Sequence, residues 1–499
     1  MKNRVILLFS ALLMSLSCHS VAISAPQLPV MANGWYPWEP YQFLENNTQL
    51  TGMDIELVQT ITKKTGRSVS YTPVSWQMHQ DDLRSGKRDF AAGATKTKAR
   101  EAFVNFSEPY RYEENSLFTK RDFAETFTFK NMTEFINEIQ SKKIKLAVIN
   151  GFIYADAGLN AFIDDPKNAS LIIKTHSDQE SLLLLDQGKV QGFLADTVVG
   201  AAVIRNDKLG KVMQEIPLHI RTPIHFMFSK KSVPLSVVEE FNTAIVAYRE
   251  TSAYKHTVTE YLAPILLLKT IDSRWFHVLE IIGTIAFAIS GVLIAFEQRS
   301  TLLAAFLFAF LPSFGGGVIR DTLFGISPVR ILQSPTYFLI VVGVVLLAYF
   351  LSLWARAPLE TFFNRFLPNR IRHKTENFYL SLFDGIGLAT FTISGIFVTL
   401  LAKVEPLWLW GPFFALLTSI SGGILRDIIA QRKQMIALSG VLYGEWVLLW
   451  GFFFSYYLHA NAMTISEEVI TTGIFVTVGG VFLSRLLGYY FDAKNLFFR

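Results

Sequence analysis

The chain has 499 residues, more than one compact core accommodates, and it is apolar: hydrophobic residues make up 51%, charged residues 17%, and mean hydropathy is +0.32. These values exclude a disordered chain and predict at least two domains, one of them in a lipid bilayer. The formal net charge of +5 does not point to nucleic acid, because the basic residues flank apolar segments and form no run with interleaved aromatics. A single cysteine, Cys18, excludes an internal disulfide and any cysteine-built metal site, and no HExxH or GxxxxGK[ST] stretch occurs, so no metal, cofactor or ATPase is expected.

Residues 1–22 are laid out as a secretory signal. Lys2 and Arg4 precede the apolar run Val5–Leu16, and Ser20-Val21-Ala22 offers small residues for cleavage. Residues 26–268 then read as an α/β domain that folds in water. Short β-rich runs such as Lys145–Ile149 and Gly192–Ala195 alternate there with amphipathic stretches such as Asp54–Thr65 and Val237–Arg249.

This domain carries one constellation of interest. Gly93, Thr95 and Arg100 fall in Gly93-Ala-Thr-Lys-Thr-Lys-Ala-Arg100, after a helix-to-strand stretch ending at Phe90. A hydroxyl and backbone amides beside a guanidinium suit a carboxylate, because the planar fork takes both oxygens. Asp196, after the short strand Gly192–Ala195, supplies an anion for an ammonium, and Trp35 and Trp76 supply apolar or cation–π walls. Taken singly, the same residues also read as a surface ion-pair arginine, a helix cap and core filling. Together, over about residues 27–264, they resemble the type-two periplasmic solute-binding proteins of the polar amino-acid family. The resemblance implies a two-lobed fold, with Gly93, Thr95 and Arg100 on the α-carboxylate, Asp196 on the α-amino group, and Trp35 and Trp76 as walls. Gly151-Phe152 departs from the family's Gly-Thr and removes a second-lobe hydroxyl.

A short linker at 269–274 is expected next, and then seven long apolar segments: 275–296, 301–324, 337–354, 377–402, 406–430, 436–458 and 467–491. Lysine and arginine assign their orientation. With the first span running inward, Arg299, Arg356, Arg365, Arg370, Arg372, Lys374, Arg432, Lys433, Lys494 and Arg499 fall inside, against Arg330 and Lys403 outside. That agrees with an exported N-terminal half in the periplasm and a cytoplasmic C-terminus. The spans also repeat. Gly283-Thr-Ile-Ala-Phe-Ala-Ile-Ser290-Gly291 returns 104 residues later as Gly387-Leu-Ala-Thr-Phe-Thr-Ile-Ser394-Gly395. Gly315-Gly316-Gly317-Val-Ile-Arg320-Asp321 returns 106 later as Ser421-Gly422-Gly423-Ile-Leu-Arg426-Asp427. Three spans per copy invert the second copy, giving repeats over 275–354 and 377–458 with the helix 467–491 left over.

The glycines predict a mid-span break, serving either close helix packing or a half-helix terminus that meets solute; the repetition with Arg-Asp favours the second. Ionisable residues within spans mark a pathway or a buried brace: Glu280, Arg320, Asp321, Asp384, Arg426, Asp427, Glu445 and Arg485, the last expected to snorkel. These motifs resemble the bacterial TRIC-like family, some of whose members are assigned as glycine transporters. The resemblance implies a seven-helix fold and a homotrimer. Ser421 replaces one family glycine, and Glu280 stands where aspartate is common.

The expected architecture is therefore multidomain: an exported two-lobed α/β periplasmic-binding-protein fold, then an all-α seven-transmembrane domain with a 3+3 inverted repeat plus one helix, in the inner membrane. The expected function is transport of glycine or another small amino acid, passive or ion-coupled, with the tethered domain delivering or sensing the solute. The alternatives are a cation channel gated by the periplasmic ligand and a sensor without transport. The expected partners are a small zwitterion and the lipid bilayer, and an enzyme is not expected.

Overall fold

The computed structural model describes residues 28–210, 212–354, 375–432, 435, 437 and 442–491. The signal segment with Cys18 and the basic residues Arg356, Arg365, Arg370, Arg372, Lys374, Lys433, Lys494 and Arg499 lie outside the described residues.

The N-terminal half is built on strands β1 (Val30–Trp35), β2 (Phe43–Glu45), β3 (Gln49–Thr51), β4 (Ser68–Pro73), β5 (Phe90–Thr95), β6 (Val104–Phe106), β7 (Arg111–Lys120), β8 (Leu146–Ile149), β9 (Ile172–Thr175), β10 (Gly192–Asp196) and β11 (Met213–Ser229). Apart from the β2–β3 hairpin they form one sheet in the order β4-β1-β5-β11-β7-β10-β8-β9, with β6 beside β11. The pairs β1–β4, β1–β5, β8–β9 and β8–β10 are parallel and are joined by crossovers with helices, the signature of an α/β domain. Long antiparallel β7 and β11 run through both halves of the sheet, and their register shifts between Pro217 and Ile220. This irregularity divides the domain into two lobes. Lobe one holds β4, β1 and β5 around Phe90, Phe226, Phe228 and Phe241; lobe two holds β10, β8 and β9 over Leu146, Val148 and Leu194.

The helix Ser252–Ile271 packs on lobe one and on the helix Thr197–Asn206 that follows β10, and it continues almost directly into the membrane half. It is helical through Ile271, and Ser273 already caps the next helix, so the expected linker 269–274 shrinks to Asp272-Ser273. The reason is local: Leu262, Leu266 and Leu267 are buried, which keeps this stretch helical. One apolar cluster runs from lobe one through Tyr261 and Leu266 to Phe276, Ile393 and Phe397.

The membrane half has seven long helices among the described residues, Arg274–Glu297, Leu302–Leu323, Thr336–Trp354, Thr375–Leu401, Leu407–Ile429, Gly444–Ala460 and Glu467–Tyr490, with the short helix Arg330–Gln333 between the second and third. Six are long and apolar enough to cross a membrane, and the sixth in order, 17 residues from Gly444, is a little shorter. That helix begins at Gly444, with Tyr443 and Glu445 at its first turn, and the expected start at 436 lies outside the described residues. The Lys403 ammonium lies 5.8 Å from the Tyr261 ring, and His256 faces Glu405 at 4.0 Å, so the fourth helix ends beside the α/β domain whereas the first begins there. The two repeats therefore run in opposite directions. Phe287 and Phe391, equivalent residues of the two copies, stack on each other with ring centroids 5.4 Å apart and planes 8° apart, marking the pseudo-twofold axis.

The glycines correct an expectation. The fifth helix is continuous through Gly422 and Gly423, and the second passes Leu311–Gly315 as a single π-helical turn, so neither presents a half-helix terminus. A Cβ on Gly316 would stand 2.0 Å from the Thr418 carbonyl oxygen, and one on Gly422 would stand 2.2 Å from that of Leu311. The glycines let the second and fifth helices touch backbone to backbone.

Candidate functional site

Tyr36 and Trp38 follow β1, Thr95 ends β5, Gly151 and Phe152 follow β8, Asp178 follows β9 and Asp196 ends β10. All lie at the carboxyl ends of parallel strands, where α/β sheets gather ligand-binding residues, and the two lobes bring them face to face. The aromatic walls are Tyr36, Trp38, Trp76 and Phe152: Tyr36–Trp38, Tyr36–Trp76 and Trp38–Phe152 ring centroids are 6.0, 6.1 and 6.3 Å apart. Trp76 takes its expected place. Trp35 ends β1 half-buried, and the ring contacts come instead from Tyr36 and Trp38, because consecutive strand residues face opposite ways. Gly93 has φ +79, and a Cβ there would stand 3.2 Å from the Trp38 ring.

Arg100 is buried, with its guanidinium 5.3 Å from the Trp76 ring. It donates to the Gln80 side-chain oxygen at 3.3 Å, to Thr95 O at 2.9 Å and to Gly151 O of lobe two at 2.8 Å. The Thr95 hydroxyl donates to Ile153 O at 3.0 Å, and Trp76 Nε1 also reaches Gly151 O, at 3.3 Å. In this arrangement the residues expected to hold a carboxylate clasp the backbone of lobe two. Gly151 has φ +76, a conformation that favours glycine and turns its carbonyl to both donors. Burial pulls Arg100 down to about 10.

The floor is acidic. Asp196 takes one of the two roles left open for it: it caps the helix Thr197–Asn206 through Val198 N and Val199 N, each at 3.0 Å, and its Oδ1 also accepts from Tyr41 OH at 3.2 Å. Four further charges were not singled out in the sequence: Arg111, Asp54, Glu113 and Asp178. Arg111 holds Asp54 through two bonds of 2.6 and 3.0 Å and lies 3.8 Å from the Tyr41 ring centroid. Its Nη1 is 2.7 Å from Glu113 Oε1 without hydrogen-bonding geometry, which leaves both Glu113 oxygens short of a donor among the described residues. Burial pushes Glu113 up to about 8, against the pull of Arg111. Burial, reinforced by Asp196, pushes Asp178 to about 7, and burial pushes Asp196 to about 6. Asp178 opens the helix after β9, and that position was the signal available for it.

In the membrane half the Arg-Asp pairs form two networks related by the repeat. Arg426 Nη1 donates to Ser290 Oγ at 2.8 Å and to Asp384 Oδ1 at 3.1 Å, and its Nε donates to Asp427 at 2.9 Å. Tyr443 OH donates to the other Asp384 oxygen. Arg320 Nη1 donates to Ser394 Oγ at 3.0 Å, and Nε and Nη2 donate to Asp321 at 2.9 and 2.7 Å. Tyr337 OH donates to Glu280 at 2.8 Å, with His277 Nδ1 3.7 Å from the same carboxylate. Ser290 and Ser394, and Tyr337 and Tyr443, are equivalent residues, so each arginine reaches into the opposite repeat. Gly317 and Gly423 flank the arginines, 3.7 and 3.9 Å from their Nη2 atoms when a Cβ is placed on each. Arg485 does not snorkel: it is buried with its guanidinium 4.8 Å from the Tyr443 ring.

Comparison with known proteins finds a matching family model for each half. Residues 33–264 match the family described as bacterial extracellular solute-binding proteins, family 3, and residues 277–352 and 381–460 match the family described as glycine transporter. The UPF0126 membrane protein YvgT of Bacillus subtilis is 30% identical over 175 residues, which are 35% of this chain and 77% of YvgT. This chain belongs to the UPF0126 membrane protein family. The inner membrane protein YadS of Escherichia coli is a further UPF0126 relative, 31% identical over 32% of this chain and 67% of its own length. The solute-binding half of this UPF0126 protein is similar to the probable amino-acid-binding protein YxeM of Bacillus subtilis, at 24% identity over 44% of this chain and 79% of YxeM. Among solved structures, an ancestral arginine-binding protein bound to arginine matches 46% of the chain and 97% of its own, with 22% identity and a TM-score of 0.39.

The two halves of this UPF0126 protein meet at Lys269. Its ammonium bridges Glu215, on β11 beyond the register shift, and Glu467, at the start of the seventh membrane helix. Ser116 Oγ fixes Glu215 at 2.9 Å. Burial works against the Lys269 charge, but Glu215 and Glu467 outweigh it and hold the ammonium firmly protonated. Around this bridge lies a cavity of about 650 Å³, lined by Arg111, Asp196, Arg221, Glu215, Lys269 and Glu467 among others. It runs from the floor of the ligand site to the loop before the seventh helix.

Proposed function

We propose that the protein is an amino-acid-regulated membrane transporter, in which the exported domain binds one amino acid and thereby controls passage of glycine or another small amino acid through the seven-helix half. The observation that carries this reading is the Lys269 bridge. It joins lobe one's last helix to lobe two and to the seventh membrane helix, so any movement of one lobe against the other pulls on the membrane half. Control suits that linkage better than hand-over of solute, since the membrane half abuts the lobe-connecting strand β11 and the floor of the site. The domain lies in the periplasm and the C-terminus in the cytoplasm, in keeping with the signal-like N-terminus and the lysine and arginine distribution.

The sensed ligand has the chemistry of a cationic amino acid. Arg100 and Thr95 suit its carboxylate once released from the lobe-two carbonyls, and Asp196 its α-amino group. Asp178 and Glu113 remain as buried acids that a second positive charge stabilises. The proteins similar to this half include one named "Probable histidine-binding protein" from Campylobacter jejuni, 27% identical, and one named "Putative ABC transporter arginine-binding protein 2" from Escherichia coli, 24% identical.

The test is glycine uptake by liposomes containing the full-length protein, with arginine, lysine or histidine added on the side of the binding domain. At least one should change the uptake rate by roughly fivefold or more, the low end of ordinary coupling between sites. Uptake indifferent to all of them would remove control, and ion flux in place of glycine uptake would make the membrane half a ligand-gated channel.

A further inference from the structure

The two repeats are built from equivalent residues but are not in equivalent states. Glu280 and Asp384 are equivalent acids, 104 apart, as are Arg320 and Arg426, 106 apart. In the second repeat acid and arginine are joined: Asp384 Oδ1 accepts from Arg426 at 3.1 Å, and Ser290 contacts both. In the first repeat they are apart. Glu280 stays with Tyr337 and His277, and the carboxylate on Arg320 is that of Asp321.

These two clusters lie at opposite ends of the helices. Glu280 is six residues into the first helix, about 9 Å along its axis from the end beside the α/β domain. Asp384 lies 17 residues before Leu401, the domain-side end of the fourth helix, or about 26 Å away. The acid–arginine bond is thus made at the far end and open at the domain-side end. Inverted repeats allow each copy to adopt the other's conformation, and the exchange reverses which end is closed.

We infer that Glu280 and Asp384 are the two gate acids of the pathway, closing in alternation. In the second state Glu280 leaves Tyr337 for Arg320 and Ser394, while Asp384 leaves Arg426 and keeps Tyr443. Every partner needed is already present: Ser394 holds Arg320 at 3.0 Å as Ser290 holds Arg426 at 2.8 Å. The additional methylene of glutamate over aspartate gives Glu280 reach to swing between Tyr337 and Arg320. The inference rests on the transport reading of the membrane half, because a pathway closed at one end at a time carries solute without forming an open pore.

The test uses full-length protein in liposomes with Cys18→Ser and one reporter cysteine, Gly317→Cys at the domain-side end or Gly423→Cys at the far end, labelled by an impermeant maleimide from either face. In the parent, the first reporter should label from the domain side and the second only slowly from the other. Asp384→Asn should raise far-end labelling about tenfold and lower domain-side labelling; Glu280→Gln should do the reverse and abolish net uptake. Ser290→Ala and Ser394→Ala, gentler changes at the same gates, should shift labelling in the same opposed directions where Asp384→Asn does not fold. If the variants move both reporters together, or move neither, the gates are wrong even if glycine uptake is intact. If labelling alternates while uptake is absent, the gates stand and the transport reading falls.

Discussion

Arg100 lies against Trp76 and Arg111 against Trp38 and Tyr41, yet the two do different work, and single substitutions separate them. Arg111 is the centre of a buried ion pair with Asp54, so Arg111→Ala leaves an uncompensated acid and should destabilise the protein by about 3–5 kcal/mol, read as a lowered midpoint in denaturant. Arg100→Ala should leave the midpoint closer to the parent and abolish the thermal shift produced by an amino acid. The acids predict a pH dependence. Asp196, Asp178 and Glu113 keep their protons to about 6, 7 and 8, above the ordinary carboxylate range near 4. Their folded values are raised, so the stability they contribute is fully present below about pH 4 and is lost as pH climbs through those values. A cationic ligand reverses that loss. Its thermal shift should grow from pH 5 to pH 8, and Asp178→Asn should flatten the profile; an equal shift at both pH values in the parent would argue for a neutral ligand. Of the residues gathered in this cleft, Arg100, Thr95, Trp76 and Asp196 were picked out in the sequence by residue type and by the family resemblance. Asp178, Glu113 and Tyr36 were not, because only the sheet order brings the ends of β9, β7 and β1 to one place.

At the level of the helices, the glycines divide into two kinds that the sequence alone does not distinguish. Gly316 and Gly422 meet backbone of the facing helix, whereas Gly317 and Gly423 look toward the arginine one turn on. Gly422→Ala should therefore cost about 1–3 kcal/mol of overpacking or fail to yield folded protein. Gly423→Ala has room and should fold, which thermal unfolding in detergent will show. The repeat itself was legible because two long motifs recur with intact order, and period and content together specify three inverted spans. Helix continuity through the glycines was not legible, since propensity alone argues for a break and the close approach that offsets it comes from the partner helix. The course of helix Ser252–Ile271 was hidden for a similar reason: its burial against lobe one and the membrane half is a tertiary fact.

On the scale of the whole molecule, the Lys269 bridge makes a prediction independent of either site. Lys269→Met keeps much of the apolar stem and removes the charge, leaving Glu215 and Glu467 without their common partner. Amino-acid binding and unstimulated uptake should both survive, while the ligand's effect on uptake shrinks toward none. Parallel binding and flux titrations on the same preparation check this, and a variant that stays fully responsive would move the coupling elsewhere. The near-continuous passage from Ile271 to Arg274 also settles the bookkeeping of the response. Under the proposed function each transport unit carries its own detector in fixed one-to-one ratio, so the reply to a ligand is a unimolecular event. On that reading its rate does not depend on how densely the protein populates the membrane, because detector and transport unit meet within one chain.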